Sequence, residues 1–363
     1  MKILVDAHVF DGKYQGTRTY IKGLYNELIL KNKSWTFYFI SNDKNNLSNQ
    51  FINSDNVNFL EYKYSNRAFQ LIFEFPLLNR KLNIDYSHFQ YISPLFKFGK
   101  HIVTNHDILF EETRFKHFFP FLYRYIKGPL FRLSAKRADV LLTVSEYSKG
   151  KLNEIYNIPI NRIGVTHNAI EFNTLNTKEK TGKNIKEIIK SNYLLYVSRI
   201  EPRKNHISIL RAYKNLKLKE NFFKIIFVGS QDITSSKLNK YIQDNEEYLK
   251  NDFFIFNKVN DSELYELYKH ADLVLYPSIA EGFGIPPLEA GVLKKKVVCS
   301  NLTAMSSFNF FPYHVNPLNQ IEFEKAITEA LNDNNYPYNY INKTILERYS
   351  WEKSAIEFKK MLN

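Results

Sequence analysis

Short, continuous apolar runs alternate with segments of helical periodicity through almost the whole chain, and this alternation restricts the fold more than any other feature. KILVDAHV, TFYFIS, NVNFLEY, SHFQYI, HIVTNHD, DVLLTVS and RIGVTHN read as strands of a first half. YLLYVSRI, FKIIFVGS, DFFIFNKV, LVLYPS and KVVCSN read as strands of a second. Between them TRTYIKGLYNELILK, SEYSKGKLNEIY, HISILRAYKNL, SELYELYKHA and IEFEKAITEALN carry apolar residues at helical spacing. Strands without polar alternation, interleaved with helices, must be covered on both faces, so an α/β class with parallel sheets is expected. A chain of 363 residues exceeds one ordinary core, which makes two Rossmann-like domains the expectation. The boundaries read as 1–172 and 192–348, joined by a polar linker at 173–191, with a closing helix at 349–363 behind Ser350 as N-cap.

Composition narrows the function classes. Lys and Arg number 50 against 37 Asp and Glu, a net charge of +13, and 16% of residues are aromatic. That balance favours anionic partners, although a lysine-rich composition also scatters charge without function. No single basic reading helix and no RNA-stacking motif is present, which argues against a nucleic-acid partner. Cys299 is the only cysteine, so no disulfide can form within the chain and a reducing cytoplasm is expected. No apolar run approaches the roughly 18 residues of a membrane span, leaving a soluble protein or one peripheral on the inner face of the cell membrane. With no D-x-D sequence and no Cys/His cluster, neither a metal nor a cofactor is expected.

The segment PSIAEGFGIPPLEA places Glu281 and Glu289 on either side of a strand-to-helix junction. Gly282 and Gly284 allow close backbone approach of a ligand, and Pro286 and Pro287 suit a first helical turn. YVSRIEPRKN brings Ser198, Arg199 and Lys204 to the end of another strand and the start of another helix, an arrangement suited to a diphosphate. Gly16 opens the first helix, but neither G-x-G-x-x-G nor a P-loop is present. His106 and Asp107 end the strand of IVTNHDILF. All four places fall at carboxyl ends of expected strands, two in each half, where ligands of open α/β sheets bind. Carboxylates, paired cations and glycine-loop amides together suit a nucleotide-sugar.

These motifs, with NHDILF, TVSEYSKGKL, VTHNAIE and NKVNDSELYELYKHADLVLYPS, resemble a retaining glycosyltransferase of GT-B family four across nearly the whole chain. The resemblance implies the GT-B architecture, two Rossmann-like domains whose parallel sheets face an interdomain cleft. It implies an acceptor-binding first domain, a donor-binding second domain and a C-terminal helix crossing back to the first. Carried over by position, Glu289 holds the donor ribose, Arg199 and Lys204 the diphosphate, and Glu281 with Gly282, Phe283 and Gly284 the transferred sugar. His106 matches the histidine near the anomeric centre, Gly16 the turn beside the phosphates, and Asn257 to Val259 the segment beside the base. The catalytic set is thus His106, Glu281, Arg199 and Lys204. The chain departs from the family pattern at Gly16-Thr17, at Ser306-Ser307 and at the LKKK before VVCSN.

The resemblance implies a metal-independent hexosyltransferase that moves a sugar with retention to a glycan or lipid-linked acceptor in bacterial cell-surface polysaccharide or lipopolysaccharide synthesis. GDP-mannose is preferred as donor through likeness to mannosyltransferases, with a UDP-sugar-dependent transferase or an epimerase as alternatives. The segment Arg114 to Ala138 has seven Lys or Arg, no acid and many aromatics. It reads either as an interfacial helix on an anionic membrane or as core packing of Phe118, Phe119, Leu122, Tyr125 and Ile126, with Gly128-Pro129 expected to break a long helix.

Overall fold

The computed structural model describes residues 1–12, 16–170, 182–231, 233 and 235–362. Its strands form two sheets in which every pairing is parallel. The chain divides into two compact units, Met1–Ala169 with Tyr349–Asn363, and Ile170–Arg348.

The first unit holds β1 (Lys2–Asp6), β2 (Thr36–Ser41), β3 (Val57–Glu61), β4 (Tyr86–Gln90), β5 (Lys100–Thr104), β6 (Val140–Thr143) and β7 (Ile163–Val165), in the order β3-β2-β1-β4-β5-β6-β7. The chain moves outward from β1 in one direction and returns through β4 in the other. The carboxyl ends of β1 and β4 therefore flank a topological switch point, the usual ligand position of such sheets. Helix Gly16–Lys31 leaves β1, and the closing helix Trp351–Leu362 packs along it. A side chain at Gly23 would meet the Trp351 indole, so glycine here sets how closely the two helices approach.

The second unit holds β8 (Asn192–Val197), β9 (Phe223–Val228), β10 (Phe253–Phe256), β11 (Leu273–Tyr276), β12 (Val297–Ser300) and β13 (Tyr313–Val315), in the order β10-β9-β8-β11-β12-β13. Its switch point lies between β8 and β11. The segments that follow these two strands are SRIEPRKN and PSIAEGFG, the two richest in candidate residues.

The structure adds helices that the sequence reading did not mark, among them Phe75–Leu82, Ser236–Asp244 and Tyr338–Arg348, and differs from it in four further places. A sixth strand, β13, closes the second sheet; its three residues are all half-buried and follow an irregular aromatic stretch, so periodicity does not reveal it. Several strands stop short of their apolar runs: β1 ends at Asp6 before a 3-10 turn His8–Phe10, and β5 ends at Thr104 before His106. Much of the expected linker lies outside the described residues, but Lys183–Ile188 is a short helix that buries Ile185 and Ile188. Finally, Gly128-Pro129 does not break its helix, which runs unbroken over Phe121–Arg137. Proline removes the bond to the carbonyl four residues back, here Tyr125, and that residue is 71% exposed, so water can satisfy the carbonyl.

Candidate active site

At the second switch point charged residues form a continuous chain. The Arg199 guanidinium lies 3.5 Å from Glu201, Arg203 lies 2.6 Å from the same Glu201 oxygen, and Arg203 reaches Glu281 at 3.2 Å. Lys204 Nζ closes on the other Glu281 oxygen, which also accepts the Tyr276 hydroxyl at 2.9 Å. Lys204 and Glu281 are both buried. Burial pushes the Glu281 carboxyl up, but Lys204 and Arg203 outweigh it and hold the group down at about 2. Burial and the neighbouring Arg203 lower Lys204 from its ordinary value, against the pull of Glu281. An ammonium has three donors. Occupied by one carboxylate oxygen and lying 5.9 Å from the Tyr276 ring centroid, Lys204 still has donor capacity for a phosphate oxygen.

The loop after Glu281 is held from below. The Glu281 amide donates to Thr303 Oγ1 at 2.9 Å, and Thr303 adopts φ +56, a left-handed conformation that costs a β-branched residue about 1–3 kcal/mol. Gly284 stands at φ +104 as the cap of helix Ile285–Val292, where a Cβ would come within 3.0 Å of Met305. Gly282 and Phe283 are buried beside it. Glu289, in the second turn of that helix, lies outside the charged chain. Tyr268 donates its hydroxyl to Glu289 Oε2 at 2.7 Å, while burial, aided by Asp261, raises the carboxyl to about 7. Ser198 packs its carbonyl against Gly229, which leaves no room there for a Cβ. Asn257 and Val259 follow β10 on the same edge of the sheet, Asn257 exposed and Val259 half-buried.

In the first unit His106 is buried just beyond β5. It pairs through Nε2 with Gln90 Oε1 at 2.7 Å and sets its ring edge-on to Tyr20, 5.0 Å between centroids. Burial lowers it to about 3, so it is a neutral imidazole near pH 7. Asp107 instead accepts the Leu109 amide at 3.2 Å. Next to His106, the Asn105 amide is completely buried with neither end hydrogen-bonded. Gly16 is the first residue of its helix, next to residues 13–15, which lie outside the described ones. Arg18 closes the preceding turn by donating to the carbonyls of Val9, Phe10 and Gly12.

The structure therefore joins Arg199, Lys204 and Glu281, and it adds Arg203, Tyr276 and Thr303, which the sequence reading passed over. Arg203 stands within EPRKN and was open to recognition as a third cation; Tyr276 and Thr303 carry no spacing signal. Among the described residues no group of three or more His, Cys, Asp or Glu side chains is placed to hold a metal ion.

Comparison with known proteins follows the same division of the chain. Residues 177–346 match the family model described as glycosyl transferases group 1, and residues 15–173 match that of glycosyltransferase family 4. The chain is 30% identical over 275 residues to the O-antigen chain mannosyltransferase RfbU of Salmonella typhimurium, spanning 70% of this chain and 74% of that protein. It is 29% identical over 188 residues to the O-antigen chain mannosyltransferase B of Escherichia coli, spanning 50% and 48%. A solved glycosyltransferase from Rickettsia africae has the same fold, with a TM-score of 0.73 at 20% identity over 100% of this chain and 98% of that one. Two family models that meet where the two parallel sheets divide, and a relative matched over 74% of its length, make this chain a member of the group 1, family-four glycosyl transferases, with the α/β fold of the GT-B enzymes.

Proposed function

We propose that the protein is a retaining, metal-independent hexosyltransferase that takes a mannosyl group from GDP-mannose and transfers it to a glycan or lipid-linked acceptor. The observation that carries the reading is the buried assembly of Lys204, Arg203 and Glu281 beside the Gly284 turn, at the switch point of the second sheet. As the glycosidic bond breaks, negative charge develops on the departing diphosphate, and preformed cations there lower the barrier most. Arg199 and Lys204 supply that charge, Glu289 takes the ribose hydroxyls, and the loop from Glu281 to Gly284 holds the sugar. Ser198, Asn257 and Val259 lie along the nucleotide; Gly16 and His106 are the candidate residues of the first unit.

Glu281 is a poor nucleophile in this setting. Its carboxylate is occupied by two cations and a hydroxyl, which lowers its basicity and argues against a covalent glycosyl-enzyme intermediate. Attack from the face the diphosphate leaves, with that phosphate accepting the acceptor proton, accounts for retention without a second carboxylate. The mannosyl donor is supported by the names of the two O-antigen relatives.

Thermal shifts with GDP, UDP, ADP and dTDP test the donor: stabilisation by GDP is expected, and stabilisation by UDP alone overturns the choice. Turnover of GDP-mannose is expected to continue in EDTA; strict need for Mg²⁺ or Mn²⁺ sinks metal independence. Lys204→Ala should lower kcat about 100- to 1000-fold, the scale of losing one donor to a developing anion. A near-normal rate would remove Lys204 from the site, and an epimerised donor without acceptor would replace the reaction class.

A further inference from the structure

One layer of the first unit has an outer side that the chemistry above does not use. Phe89, Val103, Leu141 and Ile163 are in register across β4 to β7 and so share one face of the sheet. Phe75, at the start of helix Phe75–Leu82, packs on Phe89 with 4.8 Å between ring centroids. Phe131 and Ala135 of helix Phe121–Arg137 join Val103 and Leu141 in one cluster. The two helices therefore cover the same face. Segment 91–98 runs between them, held to one where Asn79 Nδ2 donates to the Phe98 carbonyl at 2.7 Å, and to the other where the Ser93 amide donates to Ser134 Oγ at 3.1 Å.

The outside of this layer is apolar and basic. Phe69, Phe73 and Leu77 follow at four-residue intervals and are 51%, 51% and 67% exposed. On the other helix Phe121, Leu122 and Tyr125 are 72%, 66% and 71% exposed, and Phe96 between the helices is 61% exposed. Of six largely exposed phenylalanines among the described residues, five belong to this layer, so the exposure is concentrated rather than scattered. Arg80, Lys81, Arg132 and Lys136 are exposed on the same two helices. Within the segments that carry these rings the carboxylates are withdrawn: Glu74 is buried and accepts the Lys63 amide at 2.7 Å, Glu112 is buried, and Asp107 and Glu111 are half-buried; the exposed Asp139 just beyond them is paired with Lys97 at 2.6 Å. The core-packing reading of Leu122, Tyr125 and Ile126 does not hold, since all three are exposed.

We propose that this layer docks on an anionic lipid bilayer and that the acceptor is met at that surface, the second clause resting on the transferase reading. Aromatic rings enter the headgroup boundary, and each cation near an anionic leaflet adds about 1 kcal/mol. A second copy of the chain is the poorer occupant, because a two-fold contact would set this basic face against itself. The helix also starts at the right edge of the sheet: Phe110, four residues beyond His106, packs against Tyr123 in its first turn, 5.6 Å between centroids. The exposed end of the helix thus shares an edge with His106.

The test is co-sedimentation of the full chain with phosphatidylglycerol-containing vesicles and with phosphatidylcholine vesicles. Pelleting with the anionic vesicles alone, reversed by salt, is expected. Phe73→Ser/Leu77→Ser and Phe121→Ser/Tyr125→Ser should each lower the bound fraction about tenfold while GDP-mannose hydrolysis in solution stays unchanged, which shows that the variants fold. Protein left in the supernatant at low salt overturns the proposal, as does binding indifferent to both double substitutions. A dimer in sedimentation equilibrium that these substitutions dissociate overturns it too, in favour of an interface between copies. Vesicle binding without donor turnover would remove the transferase reading alone; turnover without vesicle binding would remove this one alone.

Discussion

Glu281 and Glu289 stand eight residues apart and ionise in opposite directions. Glu281, held near 2, adds stability that is present above its usual 4.5 and lost as pH falls through about 2. Glu289, raised to about 7, adds stability that is complete below 4.5 and lost as pH rises through about 7. Each change is on the order of 3 kcal/mol. If Glu289 takes the ribose hydroxyls, it accepts two hydrogen bonds as a carboxylate and loses one when protonated. Binding of the intact nucleotide-sugar, whose phosphates do not titrate in this range, should therefore tighten about tenfold from pH 6 to pH 8, with a proton released. Calorimetry in buffers of different ionisation enthalpy measures both, and Glu289→Gln should flatten the profile; an unchanged slope in that variant assigns the proton to another group. The two carboxylates and the cations were legible as residue types at strand ends. Which charges meet was not, because Lys204 and Glu281 are separated by 77 positions and spacing says nothing of pairing at that range.

Helices and strands were legible where burial imposes a period. All twelve expected strands occur, because parallel strands covered on both faces have no polar alternation to blur them. Tyr313–Val315 and the helix through Pro129 escaped for opposite reasons: the first is short and half-buried, and the second keeps its helix where a breaker is tolerated by water at an exposed carbonyl. Contacts between elements were not legible, and Gly23 is the clearest case. Nothing in TRTYIKGLYNELILK marks it as the place where Trp351 arrives from more than 300 residues away. Gly23→Val should destabilise the first unit by about 1–3 kcal/mol through overpacking. Gly150→Ala is the matching control, in helix Glu146–Tyr156 with nothing within 4 Å of the added carbon, and should instead stabilise by up to about 1 kcal/mol. Urea denaturation followed by tryptophan fluorescence measures both, and equal effects at the two glycines would refute the packing account.

At the scale of the molecule each unit has its own sheet and core, and the candidate donor residues are divided unequally between them. Arg199, Lys204, Glu281 and Glu289 all belong to Ile170–Arg348, while the only two tryptophans, Trp35 and Trp351, belong to the other unit. Tryptophan emission therefore follows the first unit alone, whereas far-ultraviolet dichroism follows both. A nucleotide-sugar at about 100 times its Kd stabilises the state that binds it by roughly 2.7 kcal/mol. For a unit of this size that corresponds to a rise in Tm of about 5–10 °C. The dichroism transition of the second unit should move by that amount while the tryptophan midpoint stays in place, and Gly23→Val should do the reverse, lowering the tryptophan midpoint and leaving the nucleotide-dependent transition unmoved. Should the tryptophan midpoint rise with nucleotide as far as the dichroism signal does, the two units unfold as one cooperative body, and the separate cores do not act as separate units of stability.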